Sequence, residues 1–159
     1  MKRYASVVRD FVADGGIYQG YCLGAYLAGT PGFDLLPTGD NTDEESIQPD
    51  AQVTSNKNTI IEVDWSFTTG PNAGETQKRW VFFQDGAVMK LRHLTDVKVL
   101  GRYSSNGDIA ASLSRFGRGW VGLVGPHPEA DRSWCKLAQD FLINCLRLTS
   151  VPRRRIRSP

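Results

Sequence analysis

Ile17-Tyr18-Gln19-Gly20-Tyr21-Cys22-Leu23-Gly24-Ala25-Tyr26-Leu27-Ala28 is the stretch on which the fold turns. Its first half, Ile17–Tyr21, reads as a short strand, and Leu23–Ala28 reads as the start of a helix. Between them stands a cysteine with glycine two residues away on each side. A strand that passes through Gly-x-Cys-x-Gly into a helix is the thiol form of the nucleophile elbow. Such a turn holds Cys22 in strained backbone geometry, and the small residues Gly20 and Gly24 let the chain pack closely around it. The helix that follows aims N–H groups at the sulfur, an arrangement expected to lower the thiol pKa. The Leu23 N–H becomes one donor of an oxyanion hole. Taken alone, the same five residues also fit a packed core cysteine.

Working outward, Tyr4, Val7, Val8, Phe11 and Val12 recur at helical spacing, which predicts an amphipathic helix over residues 2–14 that Gly15-Gly16 stops. Residues 30–58 are rich in Pro, Gly, Asp, Asn and Thr and carry the acidic run Asp43-Glu44-Glu45. They read as a long, mostly irregular surface insertion, with a lid over a site as the alternative. Ile61, Val63, Trp65 and Phe67 then alternate with polar residues, the period of a half-buried strand. Asp85-Gly86, between Trp80–Gln84 and Ala87–Leu91, predicts a two-residue hairpin. A second hairpin is expected where Ile109–Phe116 runs through Gly117-Arg118-Gly119 into Trp120–Val124. Trp134, Leu137, Ala138, Phe141, Leu142, Cys145 and Leu146 form an apolar stripe at helical spacing.

The second chemical signal is Gly125-Pro126-His127-Pro128-Glu129, directly after the apolar strand Trp120–Val124. Open α/β sheets place their sites at the carboxyl ends of strands. His127 and Glu129 stand two apart in an extended segment and point to one side. Glu129 can therefore fix the tautomer and orientation of His127, and His127 can take the proton of Cys22, the logic of a nucleophile–base–orienter triad. His93 has no such context and reads as an ordinary loop residue.

The two motifs together resemble class I glutamine amidotransferase domains, which pair a Gly-x-Cys-x-Gly elbow with a late His-Pro-Glu. The longer pattern, Gly20–Ala28 with Gly125–Glu129 and Phe82-Phe83-Gln84-Asp85-Gly86 between them, is similar to the N-terminal domain of fungal biotin–protein ligases and its stand-alone relatives. The resemblance covers residues 5–148. It implies an α/β fold, a class I glutamine amidotransferase-like (flavodoxin-like) sheet with helices, here lacking its first strands. It also implies a domain over residues 1–150, incomplete at its start, followed by a basic tail over 151–159. The implied function is a cysteine hydrolase acting on an amide, with glutamine the family's example, through catalytic Cys22, His127 and Glu129 and the Leu23 oxyanion donor. No cofactor and no metal is implied. The family takes its second oxyanion donor from a Gly-Gly loop ahead of the elbow, which has no counterpart here. A catalytically inactive binding or regulatory domain of the same fold is the alternative. The sequence has no Gly-rich biotin-adenylate loop, so ligation of biotin is not expected.

Charge and cysteine usage narrow the partners. Lys and Arg total 19 against 17 Asp and Glu, but Arg153, Arg154, Arg155 and Arg157 sit in the last nine positions. That tail reads as a solvated terminus, so nucleic acid is not expected as a partner. Three cysteines make no disulfide framework. Cys135 and Cys145, ten apart in one predicted helix, lie about 15 Å apart along its axis and cannot pair. No apolar run reaches the roughly 20 residues of a membrane span, and the first ten residues lack a signal-peptide core. As it stands the sequence reads as soluble and intracellular; with an upstream signal segment, as stand-alone relatives carry, the product would be secreted. A small-molecule amide is the expected ligand. An uncovered sheet edge beside Ile17–Tyr21 predicts self-association.

Overall fold

The computed structural model describes residues 2–68 and 70–130. Helix α1 (Lys2–Ala13) leads into strand β1 (Ile17–Tyr21), and helix α2 (Leu23–Ala28) follows at once. Strands β2 (Asn41–Glu44), β3 (Thr59–Ser66), β4 (Thr76–Phe83), β5 (Ala87–Lys90), β6 (Val97–Tyr103), β7 (Ile109–Phe116) and β8 (Gly119–Val124) complete a mixed α/β architecture with few helices. All eight strands belong to one sheet, with main order β1-β8-β7-β6-β3-β4. β1 lies parallel to β8, Tyr21 opposite Val124, while the other pairings are antiparallel. The stripe over 134–146 and the basic tail lie outside the described residues.

Burial explains why these segments settled where they did. In β3 the alternation puts Ile61, Val63 and Trp65 inside, against Val81 and Phe83 of β4, and leaves Ile60, Glu62 and Asp64 on the other face. β7 is buried from Ile109 through Ser114, as a central strand covered on both faces should be. A second apolar cluster joins Val12 of α1 and Ala25 and Ala28 of α2 to Val121 and Leu123 of β8, so both helices are pinned beside the β1–β8 pair. Only part of the α1 stripe takes part. Val12 is fully buried, whereas Val7 and Phe11 stay 64% and 61% exposed.

Two expectations need correction. Asp85-Gly86 does not close a hairpin, because β4 pairs with β3 while β5 pairs with β2 and touches β7 at Met89–Ile109. A primed two-residue turn needs positive φ at both positions, and only Asp85 has it, at 51°. Gly86 is used for closeness instead: a Cβ there would stand 2.8 Å from the Gly125 carbonyl oxygen. The chain therefore leaves β4 and crosses to a different part of the sheet. The acidic run is the second correction. Asn41–Glu44 pairs with Lys90–Ala87, and Glu45 is fully buried. The Glu45 N–H donates to the Gly86 carbonyl at 3.1 Å, so the run is fixed by the strand that follows Asp85-Gly86.

Candidate active site

Cys22 sits at the junction of β1 and α2 with φ 46° and ψ −109°, a region that non-glycine residues enter only under constraint. The constraints are visible. The Cys22 N–H donates to the Val124 carbonyl at 2.9 Å, extending the β1–β8 ladder by one residue, and the Ala25 N–H donates to the Cys22 carbonyl at 2.9 Å. A Cβ on Gly20 would lie 2.3 Å from the Gly24 carbonyl oxygen, so the turn closes only over a glycine. Gly24 differs: a Cβ there would meet nothing nearer than the Tyr18 hydroxyl at 3.9 Å. That hydroxyl donates to the Gly24 carbonyl at 2.6 Å.

The C-terminal end of β4 gathers the other pieces. The Cys22 thiol donates to the Gln84 carbonyl at 3.4 Å. The His127 N–H donates to the Phe82 carbonyl at 2.8 Å, and the imidazole packs against the Phe82 ring at 5.6 Å between centroids. The two carbonyls are two residues apart on one extended segment, roughly 7 Å along it. His127 Nδ1 meets Glu129 Oε1 at 2.7 Å, the pairing expected from the sequence. This leaves His127 Nε2 closed off from solvent and without a hydrogen-bond partner. Thiol and imidazole are thus held from one strand end, but no hydrogen bond joins them directly.

The electrostatics depart from the sequence reading. Burial pushes the Cys22 thiol up; the Leu23 N–H pulls the other way, and the carboxylates of Asp85 and Glu129 push it further up. The expected lowering by the helix fails for a physical reason. α2 is only six residues long, so its macrodipole is weak beside two nearby negative charges. The Leu23 N–H does face the sulfur, as an oxyanion donor at this position must. Tyr26, one turn into α2, donates to the Asp85 carbonyl at 3.1 Å, and burial first, then Asp85, Glu44, Cys22 and Asp43, raise its pKa.

A cavity of about 340 Å³ opens over the thiol, lined by Cys22, Leu23, Tyr26, Asn56, Gln84 and Asp85. Sequence reasoning does not find Asp85, Gln84 and Asn56 as site residues. For Gln84 a signal exists, since Phe82–Gly86 belongs to the resembling pattern; for Asn56, inside an irregular stretch, there is none. Among the described residues no group of three or more His, Cys, Asp or Glu side chains could hold a metal ion. None of their helices is long and apolar enough to cross a membrane.

Solved structures share this arrangement of strands. A GMP synthase-type protein of Thermoplasma acidophilum superposes with a TM-score of 0.59 at 12% identity, covering 92% of this chain and 66% of its own. The fold is glutamine amidotransferase-like. A cold-adapted β-galactosidase from Rahnella sp. R3 matches at TM-score 0.55 and 19% identity, over 94% of this chain and 21% of the enzyme. A cytoplasmic protein of Salmonella typhimurium matches at 0.51 and 14%, over 88% of this chain and 59% of its own. No family model and no curated protein matches the sequence. The chain spans about two-thirds of the length of the first of these structures and a fifth of the second. A glutamine amidotransferase-like fold within a β-galactosidase shows that the architecture alone does not fix the chemistry.

Proposed function

We propose that this chain is a cysteine-dependent amide hydrolase domain of the biotin–protein ligase N-terminal type, with Cys22 as nucleophile, His127 as base and Glu129 as the group that orients it. The observation that carries the reading is the His127 ring. Its Nδ1 is committed to Glu129, and its Nε2 is buried and unpartnered while anchored on the strand end that holds the thiol. In the proposed reaction His127 takes the thiol proton, and the sulfur attacks the amide carbon. The Leu23 N–H donates to the oxyanion that forms. The C–N bond then breaks, the amine leaves with the proton held by His127, and water hydrolyses the thioester. Glutamine enters as substrate by family analogy, and biotin ligation is no part of the proposal.

A second reading, an inactive binding or regulatory domain, draws on the raised thiol and on the missing thiol–imidazole hydrogen bond. Ammonia release from glutamine and simple primary amides separates the two. Release by the native chain that disappears in Cys22→Ala and falls roughly 10²-fold or more in His127→Ala supports the hydrolase. Glu129→Gln should cost less, because it weakens the orientation of the base without deleting it. Equal background release by native chain and Cys22→Ala leaves the inactive domain as the reading.

A further inference from the structure

We infer that the cavity over Cys22 selects a substrate carrying an ammonium group, which Asp85 receives with Glu44 beside it; this rests on the hydrolase reading above. Asp85 lines the cavity, and its Oδ1 is closed off from solvent without a hydrogen-bond partner. Its positive φ of 51° turns this side chain out of β4 at the cavity wall. Glu44, from the neighbouring β2, hydrogen-bonds the same carboxyl group and adds its own negative charge. Asp43 contributes to the field as well, since it, Glu44 and Asp85 all act on Tyr26 on the cavity's other side.

No cation answers these acids. The ion pairs of the described residues are Arg9–Asp34, Lys78–Glu62, Lys90–Asp108, Arg118–Asp14 and His127–Glu129, and none includes Asp43, Glu44 or Asp85. Lys90, the basic residue of β5 opposite β2, is held by Asp108 at 2.8 Å. No Lys or Arg lines the cavity. Two touching carboxylates without a counter-charge are unfavourable, and a bound cation relieves them. At about 340 Å³ the space suits a small molecule, with Asn56 and Gln84 left to hydrogen-bond its polar groups. The preferred substrate is therefore an amide whose remainder is cationic and lacks a carboxylate. Anionic amides should be rejected, and zwitterionic glutamine should rank between the two.

Alkylation of Cys22 in the full chain tests this without depending on turnover. The rate with 2-bromoethylammonium, a cation, is divided by the rate with neutral iodoacetamide, and the quotient is referenced to the same quotient for glutathione. Peptide mass spectrometry reads Cys22 separately from Cys135 and Cys145. The quotient removes any change in thiolate fraction, which affects both reagents alike. At low salt it should exceed the reference about tenfold, and approach the reference in 1 M salt. It should also approach the reference in Asp85→Asn, whose side chain tolerates the same positive φ, and independently in Glu44→Gln. A quotient at or below the reference, or one unmoved by either substitution, overturns the inference. His127→Ala should slow both reagents and leave the quotient unchanged. Dependence on His127 without charge selectivity thus removes the cationic substrate and keeps the hydrolase. Selectivity without dependence on His127 keeps the cation pocket and removes the triad.

Discussion

The strain at Cys22 is set by its neighbours, and Gly20 and Gly24 contribute unequally to it. Gly20→Ala would drive a methyl group into the Gly24 carbonyl, backbone against backbone. We expect a loss of about 1–3 kcal/mol or more, read from the midpoint of denaturant unfolding. Gly24→Ala should be neutral or stabilising by up to about 1 kcal/mol, since the added carbon meets open space and favours the helix. The thiol gives a second expectation. With burial, Asp85 and Glu129 all raising its pKa, Cys22 should alkylate slowly with iodoacetamide at pH 7 and accelerate through and above about pH 8.5. Asp85→Asn removes a negative charge, lowers the thiol pKa and should move the whole pH–rate profile to lower pH. An unshifted profile would mean that burial alone governs the sulfur.

At the scale of elements, β2 and the short helix behind it carry a buried titratable group. Burial pushes Glu45 up to about 7, with Asn106 and Lys90 pulling down and Asp108 pushing up. Asn106 donates to Oε1 at 2.9 Å, while Oε2 has no partner. A carboxyl whose folded-state pKa lies above its ordinary 4.5 is best accommodated protonated. Stability should therefore fall as pH rises from about 4.5 through 7 and level off above that. Glu45→Gln keeps the acceptor for Asn106 and removes the charge, so it should flatten this dependence and gain up to about 3 kcal/mol at pH 8. Thermal melts of both proteins across that range check it. The same elements show what a sequence can disclose. β1 and α2 are legible to the residue because an elbow is a local device, and β3 because alternation records one buried face. β2 is not, because four residues reading Asn-Thr-Asp-Glu become a strand only when β5 lies alongside. β6 escapes notice because Lys98, Gly101 and Arg102 break its apolar pattern, and a bulge shifts its register on β7. His127 and Glu129 are legible as a pair, but their anchorage on β4 lies far away in sequence.

For the whole molecule, the outer edge of β1 and the α1 face bearing Val7 and Phe11 predict self-association, since β1 pairs only with β8 among the described residues and both side chains are largely exposed. Val7→Lys should shift sedimentation toward the monomer with little change in melting temperature. Phe11 is a poorer target, because its ring lies over Gly16. Unchanged sedimentation would place any association elsewhere. One further property follows from how the thiol and the imidazole segment are tethered. Both grip carbonyl oxygens of β4 and the residue just beyond it, at Phe82 and Gln84. Every amino acid supplies a carbonyl, so substitution at either position leaves the tether in place. Lineages of this fold can therefore drift freely in spelling at these two positions while preserving the geometry, and a saturation mutagenesis scan would record tolerance where the scaffold is in fact most dependent on the backbone. Only a backbone ester, with its weakened acceptor, would expose that dependence.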